Sequence, residues 1–307
     1  MIKDIAIIGA GGFIGQHLCE ELLKTGAAKL HLYGKKKTQG QLGNFFSQLD
    51  FEDTAQLRNV AESADLVYYL ASETIPSTSW NDPFLDIDKN LKPFVKFLET
   101  TGASKLKKVV FVSSAGTVYG ATVGKVPENA EKKPFSPYGI IKLTMENFLE
   151  YYRHRFGLNY EIFRVSNVYG PGQNTGKGLG IINTFIEKII NRKNLEVFGD
   201  GSTTRNYIYV KDVAKLMASS AERLEGSDIY NLASNSTVTI NELLEIIRSV
   251  VSEQITVDYI PGRQSDNSFI DLDNKKIREM HPSFDFTSLQ RGISETYKSI
   301  KVSQKAQ

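Results

Sequence analysis

Apolar and polar positions alternate in blocks along the first half of the chain. Ile5-Ala6-Ile7-Ile8 is a continuous apolar run of strand length, and Phe13, Ile14, Leu18, Leu22 and Leu23 then recur at helical spacing. Residues 30–33, 66–70, 109–112 and 160–164 read as further strands. Between them lie the polar stretch 53–64, a helical pattern over 86–101 and a helix that carries Tyr138. Continuous apolar strands separated by helices predict an α/β fold, a doubly wound parallel sheet covered on both faces. Ligands of such sheets bind beyond the carboxyl ends of the strands. A Gly/Pro-rich stretch at 169–180 breaks the rhythm. After it a helix at 181–190, a loop at 199–204, a helix at 210–224 and a strand at 229–232 indicate a smaller, interleaved C-terminal region. The polar tail 298–307 is expected to fray.

Composition narrows the picture. The 307 residues are 41% hydrophobic, 23% charged and 10% aromatic, an ordinary globular balance. A net charge of +2 argues against nucleic acid as the main partner. The single cysteine, Cys19, excludes an internal disulfide framework, suits a reducing, cytoplasmic compartment and reads as a small core residue. Met1-Ile2-Lys3-Asp4 leads into a strand without a signal-peptide pattern, and no apolar run approaches the ~18 residues of a membrane span.

Two short stretches carry chemistry. Gly9-Ala10-Gly11-Gly12-Phe13-Ile14-Gly15 lies between the first strand and the first helix, the context a dinucleotide fingerprint requires. Gly9 permits the tight turn, Gly12 lets backbone approach a pyrophosphate, and Gly15 lets the helix pack closely on the strand. The helix N-terminus offers free N–H groups and partial positive charge to phosphates. The second stretch opens with Ser136 as N-cap and Pro137 at the first helical position. Tyr138 and Lys142 then stand at i and i+4 on one face. A free phenol, with a pKa of about 10, is a poor base at neutral pH, and a neighbouring cation favours its ionised form. So tuned, Tyr138 can take a proton from an alcohol or return one to an alkoxide. Lys142 can also hydrogen-bond a ribose. The strand at 109–112 runs into the hydroxyl-rich loop Ser113-Ser114-Ala115-Gly116-Thr117, which could hold a substrate oxygen beside Tyr138.

With these motifs the chain resembles an extended short-chain dehydrogenase/reductase of the nucleotide-sugar epimerase/dehydratase family, and most resembles its UDP-glucose 4-epimerase-like members. The likeness spans nearly the whole chain. It includes Gly-x-x-Gly-Phe-Ile-Gly at 9–15, Thr-Val-Tyr-Gly at 117–120 and Ser-Pro-Tyr-Gly-x-x-Lys at 136–142. Arg-x-x-Asn-Val-Tyr-Gly-Pro-Gly-Gln at 164–173, Gly-Asp-Gly-Ser-x-x-Arg-Asn-Tyr-Ile-Tyr-Val at 199–210 and a weaker Pro-Gly-Arg at 261–263 complete it.

The resemblance implies a Rossmann-type fold, with a dinucleotide-binding domain at 1–170, returning segments at about 205–235, and a mainly substrate-binding, interleaved region at 171–307. It implies that Tyr138 is the acid/base and Lys142 its partner, both also touching the cofactor. Gly9, Gly12, Phe13, Ile14 and Gly15 would hold the dinucleotide; Asp50 and Phe51 would lie near the adenine, and Leu70, Ala71 and Asn90 along the cofactor cleft. Asn167 and Val168 would lie between nicotinamide and sugar, and Arg205 and Arg263 would clamp the substrate diphosphate, for which guanidinium forks are suited. Relatives usually dimerise through a four-helix bundle, here about 86–101 and 137–156. Synthesis of surface polysaccharide precursors is a common role in the family.

Two departures matter. Where many relatives carry Ser or Thr three residues before Val-Tyr-Gly, this chain has Ala115, so Ser114 or Thr117 must supply the hydroxyl, with Ser114 preferred. Where NAD-users commonly place an Asp at the end of the second strand, this chain has Tyr33, followed by Gly34 and then Lys35, Lys36 and Lys37. Lys35 and Lys36 would welcome a ribose 2′-phosphate, which leans the cofactor from NAD toward NADP. The leading expectation is a nucleotide-sugar 4-epimerase working on a nucleotide-diphosphate sugar by transient oxidation at C4. The alternative is an NADP-dependent reductase of a 4-keto-6-deoxy nucleotide sugar, and a third reading is a non-catalytic NADP sensor on the same fold. A 4,6-dehydratase is disfavoured, because its Asp-Glu pair is replaced by Gly116 and Thr117.

Overall fold

The computed structural model describes residues 4–26, 29–35, 46–122, 124–176, 180–262 and 271–305. The chain begins β1 (Asp4–Ile8), α1 (Phe13–Thr25), β2 (Lys29–Gly34), β3 (Phe46–Gln48), α2 (Thr54–Ser63) and β4 (Leu66–Tyr69). It continues through α3 (Pro76–Asn81), α4 (Pro83–Asp86), α5 (Lys92–Glu99), β5 (Lys108–Ser114), α6 (Ala115–Val118) and β6 (Lys125–Val126). Next come α7 (Pro137–Phe156), β7 (Asn159–Val165), β8 (Asn167–Tyr169), α8 (Ile181–Ile190), β9 (Leu195–Phe198) and β10 (Thr204–Tyr209). The last elements are α9 (Val210–Ala218), β11 (Asp228–Leu232), β12 (Thr237–Thr239), α10 (Ile240–Val250), β13 (Val257–Ile260), β14 (Asp271–Leu272), α11 (Lys275–Met280) and α12 (Leu289–Lys305).

Two compact units share this chain: residues 1–120, 131–164 and 213–230 form one, and 121–130, 165–212 and 231–307 the other. The first is built on a seven-stranded sheet of order β11-β7-β5-β4-β1-β2-β3. Its β5-β4-β1-β2-β3 portion is parallel throughout. Strand order reverses direction between β1 and β4, which marks the switch point of a doubly wound sheet. The strands are buried end to end: Ala6, Ile7, Ile8, Val67, Tyr68, Val109, Val110 and Phe111 are all inaccessible. That is why they read as unbroken apolar runs rather than alternating ones. Cys19 lies in this core, where burial pushes its thiol up to about 12.

The second unit contains a three-stranded sheet, β12-β10-β8, and two parallel pairs, β13-β9 and β14-β6. Its core gathers Ile182, Phe185, Ile186 and Ile189 of α8 with Leu243, Leu244 and Ile247 of α10 and Ile293 of α12. The Gly/Pro-rich stretch after β8 is tied down by Asn183, whose amide donates to Gly170 O at 2.7 Å and accepts from Gly170 N at 3.2 Å.

Three local expectations change. The helix read over 86–101 starts at Pro83 and is interrupted by a π turn at Ile87–Leu91, in which Lys92 N–H reaches back five residues to Ile87 O. Pro93 supplies the reason: it lacks an N–H and its ring would meet the carbonyl of residue 89, so the preceding turn widens. The helix read over 210–224 ends at Ala218 and finishes as a 3₁₀ turn, Ser219–Glu222. In the tail expected to fray, the described residues 298–305 are helical, the last turns of α12. Lys301 Nζ donates to Glu253 Oε1 at 2.9 Å and to Tyr297 OH at 2.6 Å, which ties that polar face to α10's exit. Among the described residues no helix is long and apolar enough to cross a membrane.

Candidate active site

The glycine turn is fastened at both sides. Gly9 N and Ala10 N donate to Tyr33 O at 2.8 and 3.1 Å, and Leu70 N donates to Ile8 O at 2.8 Å. Gly9 adopts φ 93°, and a Cβ there would sit 2.8 Å from Ala71 N, so the ends of β1 and β4 approach too closely for a side chain. A Cβ at Gly15 would fall 2.3 Å from Gly9 O, inside the contact between α1 and the turn. Gly12 is different. It is exposed, and its Cβ would meet only Gly9 O at 3.2 Å. Internal packing therefore accounts for Gly9 and Gly15 but leaves Gly12 open toward solvent. The turn at Gly12 is also the N-cap of α1, with no side-chain cap, and the first turn holds no acidic residue. Phe13 and Ile14 are half-buried in that turn. A pyrophosphate fits this cradle on chemistry: it needs bare backbone, unpaired N–H groups and the positive end of a helix dipole.

Tyr138 and Lys142 are set by α7. Ser136 Oγ accepts Gly139 N at 3.2 Å, Pro137 occupies the first helical position, and Gly157 closes the helix in the left-handed region. Gly139 has no room for a side chain, because its Cβ would lie 2.3 Å from Thr117 O. The 114–117 turn and the start of α7 therefore pack backbone to backbone. Lys142 is 5% exposed, and its Nζ donates to Val112 O at 3.0 Å. The same Nζ lies 4.9 Å from the Phe111 ring centre and 5.6 Å from that of Tyr138.

Burial pulls Lys142 down to about 8, against the opposing charges of Asp86 and then Glu146. Burial pushes Tyr138 up to about 12, the Ser72 hydroxyl draws it back, and Asp86 raises it further. The protein alone therefore keeps the phenol protonated, and added positive charge is what would ionise it.

Asp86 and Asn90 lie at i and i+4 across the π turn. Asp86 Oδ1 accepts from Asn90 Nδ2 at 2.9 Å and from Thr74 Oγ1. Asn90 Nδ2 also donates to Thr74 Oγ1 at 2.6 Å, and its Oδ1 accepts Glu73 N at 2.8 Å. Asn90, expected along the cofactor cleft, is 4% exposed with its amide committed to these partners. It props up the 72–74 loop that follows Leu70 and Ala71. Below Lys142, Glu146 takes a fork from Arg164, with Nε to Oε1 at 3.1 Å and Nη2 to Oε2 at 2.6 Å. Ser113 Oγ donates to the same Oε1 at 2.5 Å, and Arg164 Nη1 donates to Tyr119 OH at 2.9 Å.

The remaining expected residues fall as follows. Ser114 is half-buried and makes no capping bond, while Thr117 Oγ1 lies 3.5 Å from Ser114 O. Lys35 Nζ pairs with Glu73 Oε2 at 2.9 Å. Lys36, Lys37 and Arg263 lie outside the described residues. Asp50 is exposed after β3, its Oδ1 accepting Glu52 N at 2.9 Å, and Phe51 packs edge-on to Tyr69 at 6.3 Å. Within the second unit, Asn167 and Val168 stand on β8, paired with Tyr207 and Ile208 of β10. Asn167 Nδ2 donates to Asn206 O at 2.8 Å, and Arg205 Nη1 to Thr204 O at 2.9 Å. Ser72, Glu73, Asp86 and Glu146 were not anticipated, and Ser113, expected among the hydroxyls beside Tyr138, is instead bonded to Glu146. Glu146 alone had a readable signal, being one more helical turn beyond Tyr138 and Lys142.

A glycine turn at the switch point of a doubly wound sheet, with a phenol and a buried ammonium on α7, defines a nicotinamide-dinucleotide enzyme. A family model described as the NAD dependent epimerase/dehydratase family matches residues 5–233, and the chain belongs to that family. The UDP-glucose 4-epimerase of Mycolicibacterium smegmatis is 28% identical, over 94% of this chain and 96% of its own length. The structure of the Thermotoga maritima UDP-glucose 4-epimerase with UDP-glucose superposes with a TM-score of 0.91 at 26% identity, covering 98% of this chain and 99% of that one. The Thermus thermophilus UDP-glucose 4-epimerase in complex with NAD gives 0.88 at 27% identity, covering 97% and 99%.

The unequal steric surroundings of the two glycines give separable outcomes. Gly15→Ala is expected to lower stability by about 1–3 kcal/mol or more. Gly12→Ala should leave the melting temperature near that of the parent while weakening dinucleotide affinity, measured by calorimetry.

Proposed function

We propose that this chain is a nucleotide-sugar 4-epimerase. The observation that carries the reading is the Tyr138–Lys142 pair, one helical turn apart on α7, with the Lys142 Nζ 5.6 Å from the centre of the Tyr138 ring. The bound dinucleotide supplies the two-electron acceptor and donor. The protein handles the proton and the orientation. Tyr138 receives the proton of the C4 hydroxyl and returns it to the C4 oxygen once the sugar presents its other face. Lys142 holds positive charge beside that phenol, and Ser114, with Thr117 second, steadies the reacting oxygen. Asn167 and Val168 border the sugar, and Arg205 binds the diphosphate with Arg263. The solved relative with UDP-glucose supports a uridine nucleotide as the carrier.

For the cofactor we favour NAD, against the lean drawn from the lysine run. Lys35 already has a carboxylate partner in Glu73, so a 2′-phosphate would have to displace it. The relative solved with NAD supports the same choice. A homodimer is part of the reading. Trp80, Phe84, Ile140 and Tyr151 are 52%, 75%, 48% and 49% exposed on α3, α4 and α7, which pack together. Exposed aromatics on adjoining helices suit a partner surface, and a second copy is the occupant proposed.

Incubation with UDP-glucose and no added reductant should give the C4 epimer by NMR. Stoichiometric loss of reduced cofactor on a keto-sugar would mark a reductase instead. Tyr138→Phe should abolish turnover while leaving dinucleotide binding nearly intact. Lys142 loses its charge as pH rises past about 8, so kcat/KM should fall on the alkaline side from that point. Glu73→Gln frees Lys35 and should tighten NADP about 2- to 5-fold, with NAD little changed; equal responses would remove the ion pair from cofactor choice. Phe84→Glu should shift the sedimentation coefficient from dimer to monomer.

A further inference from the structure

Lys142 is a buried ammonium whose hydrogen-bond acceptor, Val112 O, carries no charge. A desolvated cation needs an anion nearby, or it loses its proton. Two carboxylates bear on it: Glu146 from its own helix and Asp86 from α4, which packs on α7. Tyr138 is the titratable neighbour on its own helix. Glu146 is already matched by the Arg164 fork at 2.6 Å and by Ser113. Asp86 has no such match. It is fully inaccessible, its Oδ1 is held by Thr74 and Asn90, and its Oδ2 has no hydrogen-bond partner. Among the described residues no ion pair involves Asp86, whereas the neighbouring Asp88 is paired at the surface with Lys92. Thr74 and Asn90 are neutral donors, so they steady the carboxylate without cancelling its charge. The π turn forced by Pro93 is what sets this clamp beneath the 72–74 loop.

We propose that Asp86 is a positioning residue of the reaction, the buried counter-charge that keeps Lys142 an ammonium beside Tyr138. This rests on the reading of Tyr138 and Lys142 as the proton-handling pair. Asp86 also opposes ionisation of Tyr138, so it acts as a regulator of the pair: removing its charge makes both groups titrate at lower pH.

The test is the pH profile of kcat/KM for the holoenzyme on UDP-glucose, with Asp86→Asn and Asp86→Glu. Asp86→Asn should move the alkaline limb down by about 1 pH unit or more, and Asp86→Glu should hold it near the parent's position. A profile for Asp86→Asn that loses height with its limbs in place overturns the proposal. A second arm needs no substrate and stands apart from the epimerase reading. Lys142→Met leaves Asp86 as an uncompensated buried charge, so the double variant Asp86→Asn/Lys142→Met should melt higher than Lys142→Met alone. A double variant no more stable than Lys142→Met overturns the pairing, even where Asp86→Asn by itself fails to fold.

Discussion

The structure of the candidate site depends on one constraint, the burial of an ammonium against the end of β5. Lys142 reaches across from α7 to Val112 O, and its Nζ rests over the Phe111 ring. That single side chain holds the helix bearing Tyr138 to the sheet edge where ligands of doubly wound folds bind. The backbone contact between Gly139 and Thr117 holds the same helix one turn nearer its start. Two fixings so close together restrain the start of α7, the segment that carries Tyr138.

Charge is layered around that fixing. Nearest are one neutral acceptor, Val112 O, and the rings of Phe111 and Tyr138, and burial among them makes the ammonium easier to deprotonate. Beyond them are two carboxylates in unequal states: Glu146 is matched by Arg164, and Asp86 is held by hydrogen bonds alone. The matched pair below Lys142 joins α7, β5 and β7 through Ser113 and Arg164 and serves as a rigid floor. Such a pair costs solvation on both partners and gives specificity of packing more than stability. The unmatched carboxylate, Asp86, has Thr74 and Asn90 as its hydrogen-bond partners.

The dinucleotide end of the site follows a different logic. Gly9 and Gly15 are required by neighbouring backbone, and Gly12 is not. A small residue kept where the protein itself has room points to something outside the chain that approaches there. At the far side of the same sheet edge, Lys35 after β2 meets Glu73 of the loop after β4.

Much of this was legible in the residues. Unbroken apolar strands between helices specify a covered parallel sheet because each strand is buried on both faces, and β1, β4, β5 and β7 fall close to where the runs lie. Ser136 and Pro137 announced the start of α7, and the i, i+4 spacing placed Tyr138 and Lys142 on one face, because these are local properties of helix geometry. What tertiary structure alone decided were partnerships across long sequence separations. Glu73 with Lys35, Asp86 with Thr74, and Arg164 with Glu146 each join different elements. The committed amide of Asn90 and the helical tail tied through Lys301 have the same origin. Local pattern sets which face a side chain takes along its own element, whereas its partner depends on how elements pack, and packing is settled by the burial of the whole core at once.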